Sequence, residues 1–137
     1  MEQLSVRYLD GVKFEASCRT HKVIADQPRS AGGGDAGMTP PELLLASLGT
    51  CAAYYAAYYL RAHGLSTEGL EVKVNAGKVQ GPPRLDNFTI HVSAPAVEES
   101  RHDALLRTVE KCFIHATLSS TPSIRTTVET ADIHLAR

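Results

Sequence analysis

Thr39-Pro40-Pro41-Glu42 runs directly into Leu43-Leu44-Leu45-Ala46-Ser47-Leu48-Gly49-Thr50-Cys51-Ala52-Ala53-Tyr54-Tyr55-Ala56-Ala57-Tyr58-Tyr59-Leu60, eighteen residues without a charge. The first four residues predict a helix start: Thr39 is the N-cap, Pro40 takes the first helical position, and Glu42 closes a capping box. His63-Gly64 predicts its end, since glycine can adopt a left-handed cap. Eighteen residues is near the lower limit for crossing a bilayer. Yet Ser47, Gly49, Thr50 and four tyrosines interrupt the run, no second span exists, and long Lys/Arg-rich flanks are missing. The reading is therefore a helix buried on nearly all sides. Such burial is unusual in one small domain and predicts a second subunit that covers what one chain cannot.

Before this helix, Gln3 to Leu9 alternates Leu4, Val6 and Tyr8 with polar neighbours, the period of a half-buried strand. Asp10-Gly11 predicts a tight turn into a second strand, Val12 to Cys18, with Val12, Phe14, Ala16 and Cys18 on one face. His21 to Ala25 completes a meander. Asp26-Gln27-Pro28 opens a loop through Gly32-Gly33-Gly34-Asp35-Ala36-Gly37, too rich in glycine for regular structure.

After the helix, Leu70, Val72, Val74 and Ala76 alternate as a strand, Gly81-Pro82-Pro83 turns the chain, and Leu85 to Ala94 returns as another strand. Leu105, Leu106, Val109, Cys112, Phe113 and Ala116 predict a second helix over roughly 98–119. A last strand is expected over 123–136, with Ile124, Thr126 and Val128 on one face. Three strands, a helix, two strands, a helix and a strand argue for an α+β fold in one domain, 1–137.

The 137 residues are 21% charged with a formal net charge of −1, so no global basic field attracts nucleic acid or anionic lipid. Three cysteines are too few, and odd in number, for a secreted disulfide framework. Met1-Glu2-Gln3-Leu4-Ser5 lacks the basic and apolar regions of a signal peptide. The expected location is a reducing cytoplasm with free thiols.

Gly37 through Cys51 resembles the first-cysteine helix of the OsmC/Ohr family. Asp26-Gln27-Pro28 and Gly32-Gly33-Gly34-Asp35 resemble the loop of its OsmC-like branch. Glu110-Lys111-Cys112 with Ala116-Thr117-Leu118 is similar to the second-cysteine segment, and the strand order also matches. The resemblance implies an OsmC-like fold, with antiparallel sheets wrapped around central helices in an intertwined homodimer. It further implies a cysteine-dependent peroxidase acting on organic hydroperoxides or hydrogen peroxide, in oxidative or osmotic stress defence. By motif position Cys51 attacks the peroxide and becomes a sulfenic acid; Cys112 condenses with it to a disulfide, which an external dithiol reduces.

That chemistry needs a thiolate, and burial alone raises a cysteine pKa. In Ohr-type members an arginine from the first strand turn stands near the thiol, held by a glutamate ten residues before the first cysteine. This chain departs from both: Pro41 occupies the glutamate position, and Leu9-Asp10-Gly11 has leucine where the arginine is sought. Glu42 lies nine residues before Cys51, about 13.5 Å along a straight helix and on the opposite face. Capping explains it better than thiolate stabilisation. Arg19 and Arg29 are the remaining candidates for the cation, against a bland reading as solvated side chains.

Cys51 is open to a second reading as a small core hydrophobe, as is Cys112. Phe113 stands where a proline often follows the second cysteine. His115, one turn beyond Cys112, is read as a surface or interface histidine, and Cys18 as packing. Tyr54, Tyr55 and Tyr58 lie three, four and seven residues after Cys51 and could line an apolar cleft or simply a contact surface. The scattered histidines hold no metal-ligand spacing, so no metal or cofactor is expected. The glycine run is not a phosphate loop, and no nucleophile elbow is present. The rival function is a non-enzymatic protein that binds a small apolar or electrophilic molecule at the dimer cleft. A third possibility is a family fold without peroxidase activity.

Overall fold

The structure is a computed structural model that describes Met1 and residues 3–131. Its first unit is an antiparallel meander of β1 (Ser5–Asp10), β2 (Lys13–Cys18) and β3 (His21–Ala25). The register sets Val6 against Ala16 and Tyr8 against Phe14, and then Ala16 against Val23 and Phe14 against Ala25. Strand alternation therefore collects Val6, Tyr8, Phe14, Ala16, Val23 and Ala25 on one face. The Tyr8 and Phe14 rings meet edge to face at 5.6 Å. On the other face Glu15, opposite Ile24, pairs with Arg7 at 3.1 Å and with Lys22 at 3.7 Å. The apolar face lies open, with Val6 61% and Tyr8 60% exposed.

The glycine loop is held by a carboxylate that sequence reading treated only as the loop's first residue. Asp26 is buried, and its oxygens accept from the backbone N–H groups of Gln27 (2.8 Å), Ala36 (3.0 Å) and Gly34 (3.3 Å). Its own N–H donates to the Met38 carbonyl at 3.2 Å. The bond from Ala36, followed by that from Gln27, holds its pKa below the ordinary carboxylate value despite burial. At Gly37 a Cβ would overlap the backbone carbonyl of Ile24, so only glycine fits where the loop crosses β3.

Helix α1 (Pro40–Ala62) begins as its sequence predicts. The Glu42 N–H donates to Thr39 Oγ1 at 3.4 Å, and the Thr39 N–H donates to the Glu42 carboxylate at 2.9 Å. Thr39→Ala should lower stability by about 1 kcal/mol, read as a shift in the urea midpoint with unchanged slope. By length and composition α1 could cross a membrane. It is instead the core helix of the second unit, with Leu48, Ala52, Ala56, Tyr59 and Leu60 buried in one stripe. Tyr54 and Tyr58 are exposed, so within one chain burial is one-sided rather than nearly complete.

The hairpin of β4 (Glu71–Val79) and β5 (Arg84–Ser93) packs on this stripe through Val72, Ile90 and Val92. At Gly49 helix and sheet come so close that a Cβ would stand 2.9 Å from Val74 Cγ2. Helix α2 (His102–Glu110) covers the far side with Leu105 and Val109.

The segment expected as one helix over 98–119 is broken. A 3₁₀ turn at Glu99–Arg101 precedes α2, and α3 (Phe113–Ser119) follows it after a break at Lys111-Cys112. The last bonds of α2 tighten to three-residue spacing, Lys111 N–H to Thr108 O and Cys112 N–H to Val109 O. Cys112 then leaves helical geometry with ψ 130° and becomes fully buried. The final strand, expected over 123–136, is not formed by its described residues. Ile124 and Val128 are more than four-fifths exposed, and no described strand pairs with this stretch. Residues 132–136 of that expectation lie outside the described residues.

Candidate active site

The break before α3 assembles the site. A helix start leaves backbone N–H groups without intrahelical partners. In α3 these donors meet two sulfurs. The His115 N–H donates to Cys112 Sγ at 3.4 Å, so Cys112 is the N-cap. The N–H groups of Ile114 and Phe113 and the Cys112 thiol stand close enough to Cys51, which α1 presents one residue before the buried Ala52, to favour its thiolate. The two cysteines named from sequence are thus neighbours at one site, and both are free thiols.

The arrangement separates them chemically. Burial pushes the Cys51 thiol up, but the bonds from Cys112, Ile114 and Phe113 outweigh it, so its pKa lies below the ordinary thiol value. Burial pushes Cys112 up, and donating to Cys51 raises it further against the bonds it accepts from His115 and Ile114. Cys51 is the readier thiolate. Cys112→Ala should raise the Cys51 pKa, and Cys51→Ala should lower that of Cys112. The pH dependence of alkylation by iodoacetamide, followed at each cysteine by mass spectrometry, checks both directions.

The other residues singled out from sequence stand elsewhere in this chain. Arg19 occupies the β2–β3 turn at φ 56°, exposed, and Arg29 opens the exposed 3₁₀ turn Arg29–Ala31. No cationic side chain contributes to the surroundings of Cys51 among the described residues. Glu42 holds Thr39 and borders a shallow groove with Gly49, Thr50 and Val74. Tyr54, Tyr55 and Tyr58 line a cleft of about 550 Å³ between α1 and α2 whose walls do not include either cysteine. The sulfurs are thus stabilised by backbone N–H groups and by each other.

A second cleft, about 480 Å³, lies between α1, β5, α2 and α3. Leu48, Val109 and His115 line it, each three residues from Cys51 or Cys112, with Phe88, Ile90 and Leu106 supplying further apolar wall. His91 and His102 also line it, and sequence reading gave neither a role. The alternation of Phe88, Ile90 and Val92 was the available signal, but it marks only the inward positions of β5, and His91 falls between them. Among the described residues no cluster of His, Cys, Asp or Glu could hold a metal ion.

A model of the family described as OsmC-like protein matches residues 32–127. A search of curated protein sequences finds no match. Among solved structures, an OsmC-like protein from Mycoplasma pneumoniae is similar, with 19% identity and a TM-score of 0.74, over 88% of this chain and 89% of that one. An organic hydroperoxide resistance protein OsmC from Legionella pneumophila gives 16% and 0.66, over 86% and 88%. An organic hydroperoxide resistance protein from Elizabethkingia anophelis gives 18% and 0.61, over 85% and 89%. At these identities the likeness establishes the α+β fold of the chain.

Proposed function

The chain belongs to the OsmC-like protein family, and from that premise we propose that it is a cysteine-dependent peroxidase for organic hydroperoxides or hydrogen peroxide. The observation that carries the reading is that Cys51 and the buried Cys112 are neighbours at the start of α3, with Cys51 held as the readier thiolate by Cys112, Ile114 and Phe113. The Cys51 thiolate attacks the terminal peroxide oxygen and the O–O bond breaks. The leaving alkoxide takes up a proton and departs as alcohol, or as water from hydrogen peroxide. Cys51 is left as a sulfenic acid. Cys112, as thiolate, attacks the Cys51 sulfur; an S–S bond forms, and the hydroxide leaves as water with the proton Cys112 gave up. An external dithiol reduces the disulfide by exchange and is itself oxidised to a disulfide. The apolar cleft beside Leu48 and Val109 suits the body of an organic hydroperoxide. The proposed setting is a reducing cytoplasm, where both thiols persist between turnovers.

The working unit in this proposal is a homodimer. The open apolar face of β1–β3 supports it, because a contiguous face of this kind marks an interaction surface. In such a dimer the meander and loop of the second subunit would bring Arg19 or Arg29 to Cys51.

The lack of a cation at Cys51 among the described residues favours a second reading, a non-enzymatic binding protein whose thiols take no part. Reduced protein is to be mixed with cumene hydroperoxide or hydrogen peroxide and a dithiol, with peroxide consumption followed and the protein then analysed by mass spectrometry. Turnover with a Cys51–Cys112 disulfide is the expected result. No turnover, with both thiols free, overturns the peroxidase in favour of the binding protein.

A further inference from the structure

The peroxide step leaves one proton without a source. An alkoxide leaves slowly unless a proton reaches its oxygen as the O–O bond breaks. The Cys51 thiolate has already lost its own proton, and Cys112, Ile114 and Phe113 hold it in that state. Cys112 still carries a proton, but it is fully buried and does not line the cleft that suits the organic body of the peroxide. Among the described residues four titratable side chains do line it: His91 from β5, His102 and Glu110 from α2, and His115 from α3. His91, His102 and Glu110 are exposed. His102 Nδ1 lies 3.3 Å from the Asp103 carboxylate, and Glu110 as a carboxylate accepts rather than donates.

Of these four, only His115 is half-buried, and it joins the cleft to the sulfurs. Its backbone N–H donates to Cys112 Sγ at 3.4 Å, and the residue before it, Ile114, stands beside Cys51. Its ring is oriented by α3 itself: Nδ1 lies 3.3 Å from Ser119 Oγ, one turn further on. Nε2 has no hydrogen-bond partner among the described residues. The bond made by one ring nitrogen decides which proton the other can exchange. With Nδ1–H donating to the Ser119 hydroxyl, the exchangeable proton of the imidazolium is the one on Nε2.

We propose that His115 is the general acid of the peroxide step, its Nε2–H protonating the oxygen that leaves an organic hydroperoxide. In this role, which rests on the peroxidase reading, His115 is a third catalytic residue beside the two cysteines. The Cys51 sulfur bonds to the terminal peroxide oxygen, the O–O bond breaks, and its electron pair passes to the leaving oxygen. The imidazolium gives that oxygen its proton, and an alcohol departs. Cys51 keeps the terminal oxygen with its hydrogen as a sulfenic acid, oxidised by the two electrons that reduce the peroxide. The neutral imidazole, held through Nδ1–H to Ser119, takes back from solvent the proton that Cys51 released on ionising.

The test compares two oxidants of the full-length, reduced protein, cumene hydroperoxide and peracetic acid. The first expels an alkoxide that needs a proton; the second expels acetate, which does not. Single-turnover rates are read as loss of the free Cys51 thiol, quenched with iodoacetamide and followed by mass spectrometry. His115→Gln should slow cumene hydroperoxide by about a hundredfold and leave peracetic acid unchanged. In the wild type the rate with cumene hydroperoxide should fall at high pH, as the imidazolium loses its proton, and the variant should lack that fall. The substitution keeps the backbone N–H that meets Cys112, and an undiminished peracid rate reports an intact Cys51 thiolate. Equal slowing with both oxidants, or no slowing with cumene hydroperoxide, overturns the proposal and leaves the peroxidase reading standing. A wild type inert to cumene hydroperoxide overturns both.

Discussion

Cys51→Ser is expected to reduce dithiol-dependent hydroperoxide consumption to the rate of the dithiol alone, whereas Cys112→Ser should stop with a sulfenic acid on Cys51. The difference follows from what each sulfur touches. Cys112 and the backbone N–H groups of Ile114 and Phe113 lie beside Cys51 and favour its thiolate. A serine hydroxyl in its place has a far higher pKa and no comparable nucleophilicity. Cys112 caps α3 through the His115 N–H, and serine is itself a preferred N-cap, so Cys112→Ser leaves the helix start supported. What it removes is the resolving thiol. Dimedone labelling of Cys51 after one equivalent of peroxide reads the trapped sulfenic acid. If both cysteines are only packing, neither substitution changes peroxide handling, and stability moves by about 1 kcal/mol.

Val6→Asp should dissociate the proposed homodimer and destabilise the protein by about 3 kcal/mol or more. In one chain Val6 is 61% exposed, and a carboxylate at such a position is ordinarily harmless. The expected damage comes from its neighbours: Val6 opposes Ala16, Ala16 opposes Val23, and Tyr8 with Phe14 lies beside them on the same face. A second subunit seated on that face would bury the new charge without a partner. Light scattering after size exclusion gives the mass, and urea unfolding gives the stability. An unchanged mass with unchanged stability would mean that the face is solvent-covered, and the dimer proposal would fall. Loss of the dimer with loss of turnover would support a cation that comes from the second subunit.

The meander, the α1 cap and the β4–β5 hairpin were legible in the sequence because local rules decide them. Alternation places Val6, Tyr8 and Phe14 on one side, and Thr39 with Glu42 can satisfy each other within four residues. The cysteine pairing was legible only through the family resemblance; spacing alone gives no distance between residues 51 and 112. The break that brings them together was hidden, since neither glycine nor proline marks Lys111-Cys112 and apolar spacing runs on from Val109 through Phe113. The pattern of Ile124, Thr126 and Val128 predicts a strand, but alternation says nothing about which edge it joins. Among the described residues it pairs with none, although the outer edges of the β1–β2–β3 and β4–β5 sheets are open. Asp26 was overlooked because its three N–H partners lie one, eight and ten residues away, beyond any local motif.

The contact at Gly49 bears on the site two residues later. Helix α1 rests on Val74 with no clearance for one more carbon, and Val74 is β-branched and stiff about χ1. The hairpin thus acts as a mechanical stop, and a missing methyl group sets the height at which α1 rides over it. Cys51 inherits that height. A spacer as small as the Gly49→Ala side chain would lift the helix by a few tenths of an ångström, an appreciable share of the reach of a sulfur hydrogen bond. The tolerance on this pair of thiols is therefore machined into the joint between a helix and a strand, away from either sulfur.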